Sequence, residues 1–147
     1  MHTVSSSTPI AAPQQLVWEV IANHDFYAHW AISSQVTLDV KGTPDPNGVG
    51  DVRVSRFGPV SIREEITMFE PPNRMAYRVV SSPLPLRSCC SEFLLVTDQS
   101  NNGCTLHCDI WFELMIPLTG PIMRRLMNIY AQRIVAGIAG EAVRQAA

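Results

Sequence analysis

The stretch Cys104-Thr105-Leu106-His107-Cys108-Asp109-Ile110-Trp111-Phe112-Glu113-Leu114 decides the fold. Cys104, Leu106, Cys108, Ile110, Phe112 and Leu114 alternate with Thr105, His107, Asp109, Trp111 and Glu113. That period of two marks a strand with one face buried. Pro117, Gly120 and Pro121 end it, and Pro121 suits the first turn of a helix. The period then changes. Met123, Leu126, Met127, Tyr130, Ile134 and Ile138 fall within about 120° of one another at about 100° per residue, with Arg125, Asn128 and Gln132 opposite. A helix over residues 121–145 would be about 37 Å long, enough to lie across a whole sheet.

Working back from this strand, period two persists. Residues 98–103 form a polar turn, and residues 89–97 read as a strand with apolar side chains on both faces. Met75, Tyr77 and Val79 follow the Pro71-Pro72 turn; Ile62, Ile66 and Met68 precede it, after a turn at Gly58-Pro59. Val52 and Val54 alternate with Asp51, Arg53 and Ser55. Residues 42–50, rich in Gly, Pro, Asp and Asn, are a loop, preceded by a strand at Val36, Leu38 and Val40. Nearer the start, residues 25–30 read as a short helix. Pro13 opens another, with helical spacing at Leu16, Val17, Val20 and Ile21, and residues 3–10 suit a strand. The expected order is strand, two short helices, six strands and one long helix.

The 147 residues suit a single domain. Apolar residues make up 46% and charged residues 16%, against about 25% charged in ordinary soluble proteins, so a disordered chain is excluded. A net charge of −2 argues against a nucleic-acid partner. No apolar run approaches the ~18 residues of a membrane span. The first basic residue is Lys41, so no secretory signal is expected and the expected compartment is the cytoplasm. There reduced thiols are the rule for Cys89, Cys90, Cys104 and Cys108. Adjacent Cys89 and Cys90 point to opposite faces of a strand, and Cys104 and Cys108 sit about 13 Å apart on one face. His24 and His29 do not share a helix face. No metal site is expected, and without a dinucleotide or P-loop fingerprint no cofactor either.

Several segments resemble the START-like or Bet v 1-like superfamily, specifically its polyketide cyclase/dehydrase branch. Ile10-Ala11-Ala12-Pro13 with Val17-Trp18 resembles the family opening, and Trp30 falls where its second helix carries Trp. Gly48-Val49-Gly50 is similar to a Gly-x-Gly before the third strand. Glu64-Glu65-Ile66, then Pro71-Pro72-Asn73-Arg74-Met75-Ala76-Tyr77-Arg78-Val79, and Gly103-Cys104-Thr105-Leu106 continue the likeness over nearly the whole chain. It implies an α+β helix-grip fold, β-α-α-β6-α. A curved antiparallel seven-stranded sheet would wrap the long C-terminal helix around an internal cavity. It does not imply one reaction, since such a fold hosts many. Cys108 stands where many relatives have Trp, and Cys104 replaces the usual Thr, which implies a smaller, thiol-rich wall.

Strand parity selects the groups facing that cavity. If residues 58–60 form a three-residue turn, Val54 opposes Glu64, and Arg56 shares the inner face with Ile62, Glu64 and Ile66. A two-residue Gly58-Pro59 loop instead puts Arg53 opposite Glu64. Across the next turn Ile66 opposes Tyr77, leaving Glu64 and Tyr77 diagonal and about 7 Å apart. A carboxylate among apolar groups is disfavoured as the anion and can trade protons with a ligand carbonyl, so Glu64 is the candidate acid–base. Tyr77 is the candidate donor to an enolate oxygen, and Arg56 the anchor for an anionic ligand group. Trp30, Ile66, Phe93, Cys108, Ile110, Met127 and Tyr130 are the remaining expected ligand contacts. The structural alternative makes Glu64 half of a salt bridge and Tyr77 plain wall. His107 and Asp109 are expected on the solvated face, with Trp111 beside them as a mark of a homodimer contact or of a curl in the sheet.

The chain thus reads as binding a hydrophobic small molecule and, if enzymatic, acting as a polyketide cyclase, aromatase or dehydratase. The rival readings are a non-catalytic carrier or sensor of a lipid, terpenoid or aromatic metabolite, and a protein-interaction module. Convergent ionisable groups favour catalysis; an all-apolar wall favours carriage.

Overall fold

The patterned segments become β1 (His2–Ile10), α1 (Gln14–Ala22), β2 (Gln35–Val40), β3 (Val52–Phe57), β4 (Val60–Glu70), β5 (Arg74–Ser81), β6 (Leu86–Asp98), β7 (Gly103–Leu114) and α2 (Gly120–Ala146). The computed structural model describes residues 1–23, 35–43, 45–57, 59–98 and 102–147. The short helix expected at residues 25–30, with His24, His29 and Trp30, lies outside the described residues. The seven strands form one antiparallel sheet in the order β1-β7-β6-β5-β4-β3-β2. β1 is an edge strand, so Pro9 within it interrupts no interior ladder.

β7 behaves as its alternation requires. Leu106, Cys108, Ile110 and Phe112 are at most 1% exposed. His107 and Asp109 are half-buried rather than exposed, because β1 pairs alongside: Ser7 lies opposite His107, and the Ser5 hydroxyl donates to the Asp109 carboxylate at 2.5 Å. Trp111 is likewise half-buried, opposite Thr3. α2 buries Met123, Met127, Ile134 and Ile138 against the sheet and α1. Leu126, read from its spacing as part of that stripe, is 45% exposed at the stripe's border. On α1, Val17, Val20 and Ile21 are fully buried in the same core.

The β3–β4 turn is the short one. Phe57 pairs with Val60 around Gly58-Pro59, so Arg53 lies opposite Glu64 and Val54 opposite Arg63. The inner face of β3 therefore carries Arg53 and Ser55, with Asp51 just ahead of the strand in the same parity, all three buried. Arg56 belongs to the other face and is exposed, which corrects its expected place in the cavity. Ahead of β3, Gly50 takes φ +88°, a conformation that glycine adopts without a Cβ clash, and its N–H donates to the Ile66 carbonyl at 2.9 Å.

Arg53 ties the sheet to α1. Its guanidinium pairs with Asp51 at 3.2 Å and donates to the α1 C-terminal carbonyls of Ala22 at 2.5 Å and Ile21 at 3.5 Å. A helix end leaves its last carbonyls without intrahelical donors, and a cation there also complements the helix dipole. Arg53→Met should destabilise the fold by about 3–5 kcal/mol in urea denaturation, because it removes one partner of a buried ion pair together with the donor to the α1 C-terminal carbonyls. Asp51→Asn/Arg53→Met should recover part of that loss. A single variant within about 1 kcal/mol of the parent would contradict this role.

Candidate functional site

Cross-strand pairing sets one continuous inward row: Ile66 opposite Tyr77, Tyr77 opposite Ser91, Ser91 opposite Ile110, and Ile110 opposite Val4. Glu64, two residues before Ile66, pairs with Val79 and so sits diagonally from Tyr77, as the alternation requires. α2 crosses above with Met127 and Tyr130. Between them lies a cavity of about 470 Å³. Ile62, Val79, Leu84, Leu86, Ile110 and Met127 form much of its apolar wall, and Glu64, Tyr77, Cys89, Ser91 and Tyr130 are among its polar groups.

Glu64 and Tyr77 are 4% and 3% exposed, so the groups expected to carry the chemistry line the cavity while largely withdrawn from water. Burial pushes the Tyr130 hydroxyl well above its ordinary range, and the nearby charge of Glu64 adds to this. Burial also pushes the Cys89 thiol up to about 12, again with Glu64 contributing. Tyr130 and Cys89 therefore stay protonated at neutral pH and present O–H and S–H groups. Thiolate chemistry at Cys89 is disfavoured, since the thiolate is the nucleophile. Among the described residues no group of three His, Cys, Asp or Glu side chains comes together to hold a metal.

Five of the expected site residues thus converge: Glu64, Tyr77, Ile110, Met127 and Tyr130. Ile66, Phe93 and Cys108 are buried in the core and do not line the cavity. Phe93 pairs across to Cys108 and packs its ring against Tyr77, with centroids 5.7 Å apart. The thiol that does line the wall is Cys89, not Cys108. Cys89 and Ser91 share the inward parity of Phe93 on β6, a signal present in the sequence. Arg87 and the loop before β6 carried no such signal. The pairing shifts between Leu86 and Ser88, and this bulge lets the consecutive residues Leu86, Arg87 and Ser88 all border the cavity.

The thiols also predict a pH dependence. Cys89 and Cys108, ordinarily near 9.0, are both held protonated to about 12 by burial. Between those values the unfolded chain binds fewer protons than the folded one, so stability is intact below pH 9 and falls as pH rises toward 12. Each thiol contributes at most about 1.4 kcal/mol per pH unit. In denaturant titrations above pH 9, the parent should lose stability more steeply than Cys89→Ala/Cys108→Ala; parallel slopes would contradict the assignment.

Residues 1–146 match the family described as polyketide cyclase / dehydrase and lipid transport. No curated protein sequence matches the chain. Among solved structures, it is similar to a START superfamily protein from Mycobacterium smegmatis, with 11% identity, a TM-score of 0.83, and 99% of each chain covered. A protein from Thermobifida fusca aligns with 21% identity and a TM-score of 0.80, covering 98% of this chain and 95% of its own. Ara h 8.0201 aligns with 13% identity and a TM-score of 0.75, covering 97% and 98%. At such identities the structures speak to the helix-grip fold alone. The match over nearly every residue places the chain in the polyketide cyclase / dehydrase and lipid transport family.

Proposed function

We propose that the chain binds a hydrophobic small molecule bearing ketone oxygens and promotes its intramolecular cyclisation or dehydration by acid–base chemistry. The observation that carries this reading is a buried carboxylate, Glu64, lining a largely apolar cavity together with the hydroxyl-bearing side chains of Tyr77 and Tyr130. The volume of about 470 Å³ falls within the range of small-molecule sites. Family membership supports the same class of ligand.

The chemistry follows from the groups present. The Glu64 carboxylate removes a proton from a carbon flanked by carbonyls, and the electron pair moves onto the carbonyl oxygen as an enolate. The Tyr77 O–H donates to that oxygen, stabilising the developing charge. The enolate carbon then attacks a second carbonyl of the same folded chain. The new alkoxide takes the proton back from Glu64, and loss of water can follow. The apolar wall excludes bulk water and holds the substrate folded, so shape selects which carbonyl is attacked.

A second reading, a carrier without turnover, is favoured by the apolar share of the wall and is separable by experiment. Against a panel of polyketones shown to bind, Glu64→Gln should lower turnover ~100-fold or more. Tyr77→Phe should lower it ~10- to 1000-fold. Ligand affinity should survive both changes, because apolar contact supplies most of it. Unchanged turnover in both variants would exclude the pair as catalysts. Binding without turnover across the panel by the parent protein would make the carrier reading the correct one.

A further inference from the structure

The helix α2 is apolar on two sides. One stripe, Met123, Met127, Ile134 and Ile138, is buried. Beside it, from the border at Leu126 outward, Ile122, Leu126 and Ile129 are 72%, 45% and 42% exposed, and with Arg125 and Arg133 they span about 100° of the helix surface. A stripe of large aliphatic side chains is not what a solvated helix face ordinarily carries. It continues into the segment before the helix, where Met115, Ile116 and Leu118 are 57%, 50% and 95% exposed. Leu118 is held outward at φ +74°, uncommon for a residue other than glycine, in a turn where the Thr119 hydroxyl donates to the Ile116 carbonyl at 2.6 Å. The Met115 N–H donates to the Pro85 carbonyl at 3.1 Å, which joins this segment to the loop before β6 at the cavity. Leu126 itself lines the cavity, so the apolar face and the cavity opening are continuous.

Charge distinguishes the occupants. From Gly120 to Gly140 the chain carries Arg124, Arg125 and Arg133 and no Asp or Glu. Arg125 and Arg133 are exposed, and neither has an acidic partner among the described residues. A second copy docked symmetrically through this face would set these arginines against their own equivalents, a like-charge contact that opposes association. An anionic lipid surface meets both requirements. Aliphatic side chains sink below the headgroups, while the arginine stems lie along them with their guanidinium groups at the phosphates. No helix among the described residues is long and apolar enough to cross a membrane, so the contact would be a surface one. We propose that the outward face of α2, with the Met115–Leu118 turn, docks on an anionic bilayer and brings the cavity opening to the lipid surface. This holds whether or not the bound molecule is turned over.

The test is co-sedimentation of the full chain with vesicles of phosphatidylcholine alone and of phosphatidylcholine mixed with phosphatidylglycerol. Binding is expected to the mixed vesicles, weakening as salt is raised. Each arginine near such a surface is worth about fivefold in partitioning, so Arg125→Gln/Arg133→Gln should lower it about 25-fold. Ile122→Gln/Ile129→Gln should weaken binding to the mixed vesicles as well. These positions are exposed, so circular dichroism and melting temperature should match the parent. The proposal is overturned if the parent ignores the mixed vesicles, or if both variants partition as it does. It is overturned equally if sedimentation equilibrium shows a dimer that Ile122→Gln/Ile129→Gln dissolves, which would assign the face to a second copy.

Discussion

The cavity depends on α2 being narrower than the sheet it packs against. Seven strands about 4.8 Å apart make a sheet roughly 29 Å wide, whereas a helix with its side chains is about 10 Å across. α2 packs against β1, β7 and α1 at one side of the sheet. The sheet nevertheless continues through β6, β5 and β4, whose inner faces carry Ser91, Tyr77 and Glu64. Small side chains at Cys89 and Ser91 do not fill the space left beneath Met127 and Tyr130, so a cavity remains where a larger pair would have closed the core. The cavity is thus a consequence of width and side-chain volume in a sheet that one helix grips at one side.

The same geometry explains the character of the site. A buried carboxylate is costly unless something offsets it. In the cavity lining Glu64 is accompanied by the hydroxyl and thiol groups of Tyr77, Tyr130, Cys89 and Ser91. Arg53, directly opposite on β3, is turned to Asp51 and to the end of α1. That division of labour matters. The buried Asp51–Arg53 pair serves the joint between sheet and helix, while Glu64 lines the space a ligand would fill. Among the described lining residues, Arg87 on the β6 bulge brings a positive charge to the cavity border.

Much of this was legible in the sequence, for identifiable reasons. Period two in residues 104–114 and helical spacing from Met123 to Ile138 reflect one-sided burial, so strand, helix and their facing sides followed directly. The diagonal of Glu64 and Tyr77 followed from Ile66 opposing Tyr77. What failed depended on single-residue geometry. A turn shorter by one residue exchanged Arg56 for Arg53 on the inner face, because a one-residue slip moves every side chain to the other side. The bulge beside Arg87 is invisible to a simple alternation. Parity also cannot tell how far along the sheet the cavity extends, which is why Cys108 and Phe93 face inward yet lie in packed core, while Cys89 reaches the space. Leu126 lay at the edge of the helical stripe, where the spacing alone could not separate buried from exposed.

On the proposed reading, a hydrophobic small molecule occupies the space between α2 and the β4–β6 surface. Methyl-labelled methionine and isoleucine side chains report on it directly by nuclear magnetic resonance during titration with 1-naphthol. Intermolecular nuclear Overhauser contacts are expected from the naphthol ring to the methyl groups of Met127 and Ile110, which line the cavity, and none to Met75, which is fully buried in the core. Contacts confined to the exposed Met115 and Ile122, with Met127 and Ile110 unmoved, would contradict that reading.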